Sequence, residues 1–132
     1  MEDYCRSTVI LALLICGAVG CGNQTESNCV TPPCAMPMAV LATVTSSLGG
    51  SVPGVTMTWT GTTSGTGACT VVSVPVSATQ CVAPGTAGTY NLLFAASGFQ
   101  EQTLSVAVPG SAGDCGCPSV QLQQVSVSMA PR

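Results

Sequence analysis

The stretch VTMTWT, residues 55–60, decides the fold class, because apolar side chains and threonines alternate along it without a break. Successive side chains of a β-strand point to opposite faces, so Val55, Met57 and Trp59 share one face and the threonines share the other. β-Branched and aromatic residues also favour extended structure. The stretch therefore predicts a strand that packs one face on a core. Trp59 is interpreted as a core residue rather than as a platform for stacking on a sugar.

The same alternation recurs along residues 38–132, between segments rich in Gly, Ser and Thr. Further strands are expected at 38–44, 72–76, 81–82, 90–96, 104–108 and 120–129. Pro75 cannot donate to a ladder, so its strand should be an edge or carry a bulge. A phase change near Gln123 and Gln124 predicts a β-bulge, and residues 61–67 read as a turn. About seven short strands of this kind predict an all-β fold, an antiparallel β-sandwich.

The scarcity of charge excludes one class of function. Charged residues make up 5% of the chain, the formal net charge is −3, and there is no His. The cations are Arg6 and Arg132 alone, whereas a nucleic-acid binder needs a basic patch. We therefore expect no nucleic-acid partner.

Catalytic groups are also scarce. Apart from cysteines, tyrosines and hydroxyls, the ionisable side chains after Cys21 are Glu26, Glu101, Asp114 and Arg132. A serine nucleophile needs a base, and the chain has neither His nor Lys. A pair of catalytic carboxylates would require Glu101 and Asp114 to meet in a cleft from two separate predicted loops. We therefore expect no enzyme activity and no cofactor.

The N-terminus is typical of an exported protein. An apolar run ends in small residues and is far shorter than the ~20 residues of a spanning helix, so residues 1–20 read as a signal peptide. The segment AVGC, residues 18–21, resembles the lipobox of bacterial lipoproteins. That resemblance implies a lipidated Cys21 as the first mature residue. Gly22, in place of an inner-membrane retention Asp, implies the outer membrane. Secretion after cleavage near Gly20, without lipid, is the alternative.

The cysteine count supports an oxidising compartment. Of nine cysteines, seven follow the apolar run, and seven minus a lipidated Cys21 leaves six for disulfides. The candidates are Cys29, Cys34, Cys69, Cys81, Cys115 and Cys117. Cys69 and Cys81 flank a strand and its return, so we expect them to pair.

The closely spaced pair Cys115 and Cys117 leaves two interpretations open. A pair of thiolates could hold a soft metal or exchange disulfides, but zinc sites favour two to four residues between cysteines, and redox pairs favour two. The favoured interpretation is structural, with no metal site and with each cysteine bonded to a different partner.

Three short motifs add a family resemblance. Residues 53–55 (PGV), 88–92 (GTYNL) and 97–99 (SGF) resemble those of carboxypeptidase regulatory-like domains, which are transthyretin-like β-sandwiches. The resemblance covers residues 38–129. It implies an accessory, stabilising or binding module without catalytic residues of its own.

Together these patterns divide the chain into three segments: a lipoprotein signal peptide at 1–20, a polar, Pro-rich tether at 21–37, and a β-sandwich domain at 38–132. We expect a lipid-anchored envelope protein that contacts a membrane through its lipid and another envelope protein or a polysaccharide through its domain. The alternative is a cysteine-based metal-binding or redox protein of the envelope.

Replacing Cys21 with Ser should abolish incorporation of a fatty-acid analogue, because the lipobox resemblance makes this thiol the lipid acceptor. Cys29→Ser in the tether is the matched control and should label like the unmodified chain. Each buried CH₂ contributes about 0.8 kcal/mol to membrane binding, so the Cys21 variant should also leave the membrane fraction. Equal labelling of both variants would contradict the lipobox interpretation.

Overall fold

Alternating apolar and polar residues form strands throughout residues 33–73 and 75–132, the part of the chain that the computed structural model describes. The strands are β1 Met38–Ser46, β2 Thr56–Thr60, β3 Gly65–Ala68, β4 Thr70–Val72, β5 Ala78–Pro84, β6 Gly88–Ala95, β7 Gln102–Val108, β8 Gly110–Ser111, β9 Ser119–Val120 and β10 Gln123–Met129. A 3₁₀ turn spans Asp114–Gly116. Within these residues no helix has the length and apolarity needed to cross a membrane. The predicted signal peptide, Cys21 and Cys29 lie outside the described residues.

The strands form two four-stranded sheets. The first sheet has the order β10-β1-β5-β4 and the second has the order β3-β2-β6-β7, while β8 and β9 form a small separate ribbon. The predicted all-β antiparallel sandwich is confirmed, with ten described strands in place of about seven. One pair differs, because β1 and β10 run parallel. Parallel neighbours need a long crossover, and here the chain passes through the second sheet before it returns as β10.

The core lies between the two sheets. It is formed by the inward side chains of both, and its largest fully buried members are Tyr90, Phe94, Met57, Leu92 and Met129. The core interpretation of Trp59 is confirmed, since its ring is partly buried and packs against this cluster. A Cβ at Gly65 would lie 2.5 Å from the Trp59 ring, so the glycine on β3 makes room for the indole.

One residue joins the two sheets at a corner of the sandwich. Cys69 lies between β3 in the second sheet and β4 in the first. Its backbone N–H donates to the carbonyl of Val55, which precedes β2, at 2.9 Å. Its sulfur is bonded to Cys81 on β5, with the two Cα atoms 4.5 Å apart. The chain therefore changes sheets at a position held from both sides.

Two predicted strands and one predicted turn are placed differently in the structure. The turn at 61–67 is shorter than predicted, since β3 begins at Gly65 and pairs with β2. The strand predicted at 72–76 lies earlier, because β4 ends at Val72 and Val76 is 69% exposed. Pro75 lacks the N–H that would extend the ladder, and β4 is an edge strand as predicted. The short piece predicted at 81–82 is part of β5, which lies inside the first sheet.

Irregularities in pairing explain two further differences. The register of β1 against β5 shifts between Met38 and Val40, so Ala39 is buried, whereas Met38, two residues from the buried Val40, is 45% exposed. The phase change near Gln123 is not a bulge. It marks the break between β9, which pairs with β8, and β10, which pairs with β1.

Buried hydrogen bonds connect loops to the sheets. Thr79 on β5 is fully buried, and its hydroxyl accepts from the N–H of Val52 at 3.2 Å and donates to the Val52 carbonyl at 2.5 Å. The Tyr90 hydroxyl donates to the carbonyl of Thr86 at 2.6 Å. A side chain at Gly85 would collide with that hydroxyl, so this loop requires glycine.

Replacing Thr79 with Val should lower the free energy of unfolding by about 1–3 kcal/mol, because both backbone groups of Val52 would stay buried without a partner. Thr79→Ser keeps the hydroxyl and should lose clearly less. Chemical denaturation of both variants measures the difference. A valine variant as stable as the serine variant would show that these hydrogen bonds contribute nothing.

Candidate functional site

The described cysteines are all in disulfides. Cys34 is bonded to Cys117 across a sequence separation of 83, and the expected pair Cys69–Cys81 is confirmed. Cys115 is also disulfide-bonded. Since Cys117 is taken by Cys34, the two cysteines flanking Gly116 bond different partners, as the structural interpretation expects.

The two acidic residues considered for catalysis lie at separate places along the chain, one before β7 and the other after β8. Glu101 is exposed immediately before the strand, and Asp114 begins the 3₁₀ turn after β8. The strands β7 and β8 therefore separate the two positions along the chain. Glu26 lies outside the described residues.

The outer surface of the second sheet is the most distinctive face of the described residues. Side chains that alternate with the core residues Met57, Leu92 and Val106 point away from the core, and the strand registers bring them side by side. We call this surface the hydroxyl face. Its members are Thr56, Thr58, Thr60, Thr66, Asn91, Leu93, Thr103 and Ser105.

Hydrogen bonds order part of the hydroxyl face. Thr58 and Thr66, which are cross-strand partners, share a bond between their hydroxyls at 3.0 Å. The Thr56 hydroxyl donates to the carbonyl of Ala95 on β6 at 3.4 Å. Each hydroxyl keeps further donor or acceptor capacity toward a ligand, because a hydroxyl has one donor and two acceptor positions.

Leu93 occupies the middle of the face. It is 36% exposed and lies opposite Thr58 on one neighbouring strand and Thr103 on the other. An open depression of about 330 Å³ lies beside it, and Thr60, Asn91 and Ser105 line its polar part. The depression is lined by leucines as well as by hydroxyl and amide groups, so it can make apolar contacts and neutral hydrogen bonds with an uncharged partner.

Electrostatics restrict what this face can do. The strands β2, β3, β6 and β7 contain no acidic or basic residue. An anionic ligand would lose its hydration here without gaining an ion pair, since these strands carry no basic residue. Its chemistry is therefore that of neutral hydrogen bonding and apolar contact.

Sequence reasoning located part of this face but not its extent. The threonines of residues 56–60 were expected on the solvent side of a strand, and the structure places them there. The contribution of β7 reaches the face through β6, whose register with β2 joins residues up to 39 apart, from Thr56 to Ala95, and no local pattern specifies it. The available signal was the alternation along β7, where Thr103, Ser105 and Ala107 alternate with Leu104 and Val106 and so share the outward face.

Comparison with known proteins found no match: no family model, no curated protein and no solved structure matches this chain.

The full chain should melt at a much lower temperature under reductant and at an unchanged temperature with a chelator. In the chain-entropy model the Cys69–Cys81 loop contributes about 3 kcal/mol and the longer Cys34–Cys117 loop about 4–5 kcal/mol. A thiolate–metal site would instead unfold with chelator.

Without reductant, the same melting temperature should stay flat between about pH 5 and 8. In that range only His, free thiols and α-amines titrate, and stability depends on pH only where folding changes proton binding. The chain has no His, and its described cysteines are disulfide-bonded. A steep slope across this range, or a loss of stability with chelator, would favour the metal or redox alternative.

Proposed function

We propose that this chain is a lipid-anchored protein of the cell envelope, carried to the outer membrane, that displays a non-catalytic β-sandwich as a structural and interaction module. The observation that carries the proposal is the hydroxyl face, on which four strands present polar groups without a charge. A large, ordered, neutral face on a rigid sheet is suited to contact with another macromolecule.

The disulfides support an extracytoplasmic location. The bonds Cys34–Cys117 and Cys69–Cys81 need an oxidising compartment to form and persist. This agrees with the resemblance of residues 1–21 to a lipoprotein signal. A lipid on Cys21 would hold the sandwich close to a membrane surface through the tether.

The placement of three motifs supports the family part of the proposal, a carboxypeptidase regulatory-like domain. Residues 53–54 lie in the turn before β2, residues 88–92 begin β6, and residues 97–99 form the turn that leads to β7. These motifs therefore lie in turns and at the start of a strand, where short motifs rich in Gly and Pro shape the connections of a β-sandwich.

The partner we propose is an uncharged surface of an envelope protein or a neutral polysaccharide. Hydroxyls and the Asn91 amide can exchange hydrogen bonds with either, and Leu93 offers apolar contact. The cysteine-based alternative requires reduced thiols. The five described cysteines are disulfide-bonded instead, which supports a structural role for them in holding the domain together.

A photoreactive amino acid at Leu93 should give a discrete crosslinked product in intact cells, because this side chain lies at the centre of the hydroxyl face. The matched control is the same group at Gln80, on the outer surface of the first sheet, which should give no such product. Sensitivity of the product to a protease or to a glycosidase tells a protein partner from a polysaccharide.

Adding Thr103→Asp should reduce the Leu93 crosslink at least about tenfold, since the new carboxylate would be desolvated without a counter-charge. Equal products at positions 93 and 80, or a crosslink that Thr103→Asp leaves unchanged, would contradict the proposal. If the single variant Cys21→Ser also loses the Leu93 crosslink, although its hydroxyl face is unchanged, the contact needs the lipid anchor as well as the face.

A further inference from the structure

Exposed apolar side chains gather at one end of the first sheet. Eight large apolar side chains are exposed among the described residues, and four of these lie at or beside the first residues of β1, namely Met36, Met38, Val82 and Leu122. The other four lie in turns or bends, on the edge strand β4 or on the hydroxyl face. Single exposed apolar residues are ordinary, whereas a cluster of them on one surface marks a site of contact.

The irregular pairing of β1 brings Met38 into this cluster. The register against β5 shifts just after Met38, and the next two residues are both buried. Met38 therefore lies opposite the exposed Pro84 on the outer surface of the sheet instead of pointing into the core. Farther along the same surface, Leu41 lies opposite Val82. We call this surface the apolar patch, and its members are Met36, Met38, Leu41, Val82, Pro84 and Leu122.

The strands that carry the apolar patch are uncharged. β1, β5 and β10 contain no acidic or basic residue, and the neighbour of Leu41 on β10 is the neutral Gln124. A contact on this surface would therefore be stabilised by burial of apolar area rather than by ion pairs. Two of the six members are methionines, whose flexible side chains adapt to an irregular apolar surface.

The segment that leads from the proposed lipid joins the domain beside the apolar patch. Cys34 is bonded to Cys117, and the N–H of Gly85 donates to the carbonyl of Pro37 at 3.0 Å. These two links hold the chain on the domain from Cys34 onward, two residues before the first member of the patch. A lipid on Cys21 would therefore keep a bilayer at high effective concentration near this end, so that a small apolar surface suffices for contact.

We propose that the apolar patch lies on the lipid bilayer that holds the anchor, an inference that rests on the proposed lipid at Cys21. The apolar side chains would enter the boundary between headgroups and acyl chains, as the apolar faces of other peripheral proteins do. The hydroxyl face is the outer surface of the other sheet, on the far side of the core. Contact of the first sheet with the membrane therefore turns the hydroxyl face away from the membrane, where a partner can reach it.

The test uses the lipidated full chain in vesicles of phosphatidylethanolamine and phosphatidylglycerol, with a photoreactive amino acid at Met38. Illumination should give an adduct with phospholipid. The same group at Leu93 should give none above background, because it lies on the opposite outer surface of a sandwich whose sheets are about 10 Å apart.

A charge in the apolar patch should remove the contact. Val82→Asp should reduce the lipid adduct at position 38 at least about tenfold, because the carboxylate would have to leave water at the bilayer surface. Val71→Asp is the matched control, since Val71 is 44% exposed against 42% for Val82. Val71 lies on the edge strand β4 opposite Thr79, near the other end of β5, and its replacement should leave the adduct unchanged.

Mass spectrometry identifies the adducts, and fatty-acid labelling of Cys21 is measured on the same samples. With Cys21 labelled, three results would overturn the membrane contact and leave the proposed anchoring intact: no lipid adduct at position 38, an equal adduct at position 93, or a crosslink from position 38 to a second copy of the chain. An adduct that Val82→Asp leaves unchanged would also overturn it. The comparison of positions 38 and 93 needs no charged variant to fold. A chain without lipid on Cys21 would contradict the proposed function itself, and this inference with it.

Discussion

The rest of the structure depends on the position of Cys69, which is bound to both sheets. Its backbone continues the ladder of the second sheet through Val55, and its side chain is bonded to Cys81 in the first. The chain can therefore pass from one sheet to the other within a single residue, from Ala68 at the end of β3 to Thr70 at the start of β4. A disulfide stabilises a fold mainly by lowering the conformational entropy of the unfolded chain. Here the Cys69–Cys81 bond also fixes the place where the two sheets meet. The core between the layers follows from that closure.

This closure makes the two sides of the sandwich unequal. The side at Cys69 has short edges, while the opposite side presents β7 and β10 along their full length. The faces of the two sheets are nearly uncharged, so neither repulsion nor ion pairing specifies a partner there. Specificity would have to come from shape and from neutral hydrogen bonds, as on the hydroxyl face around Leu93. A protein with so little charge tends to associate, and the hydroxyl face is a surface suited to such contact.

The alternation of apolar and polar residues, which repeats every two residues, predicted most strands from local sequence. β2 and β6 were predicted closely, because Met57, Leu92 and Phe94 alternate with polar neighbours. β3 was missed because Gly65 and Gly67 carry no pattern, and their role, space for the Trp59 ring, exists only in the folded sheet. The parallel pairing of β1 and β10, and the part that β7 plays in the hydroxyl face, arise from long-range registers that no local window contains. Disulfide pairing was partly accessible, since Cys69 and Cys81 are close in sequence, whereas Cys34 and Cys117 are not.

Peptide mapping of the unreduced full chain tests the central claim, that Cys69 holds the two sheets together through Cys81. Digestion with an acid protease suits this chain, because it has no lysine and because low pH suppresses thiolate exchange during the digest. Mass spectrometry should recover a peptide pair joined through Cys69 and Cys81, and a second pair joined through Cys34 and Cys117, each collapsing on reduction. A map that joins Cys69 to Cys115 or Cys117, or that shows Cys69 as a free thiol, would contradict the account.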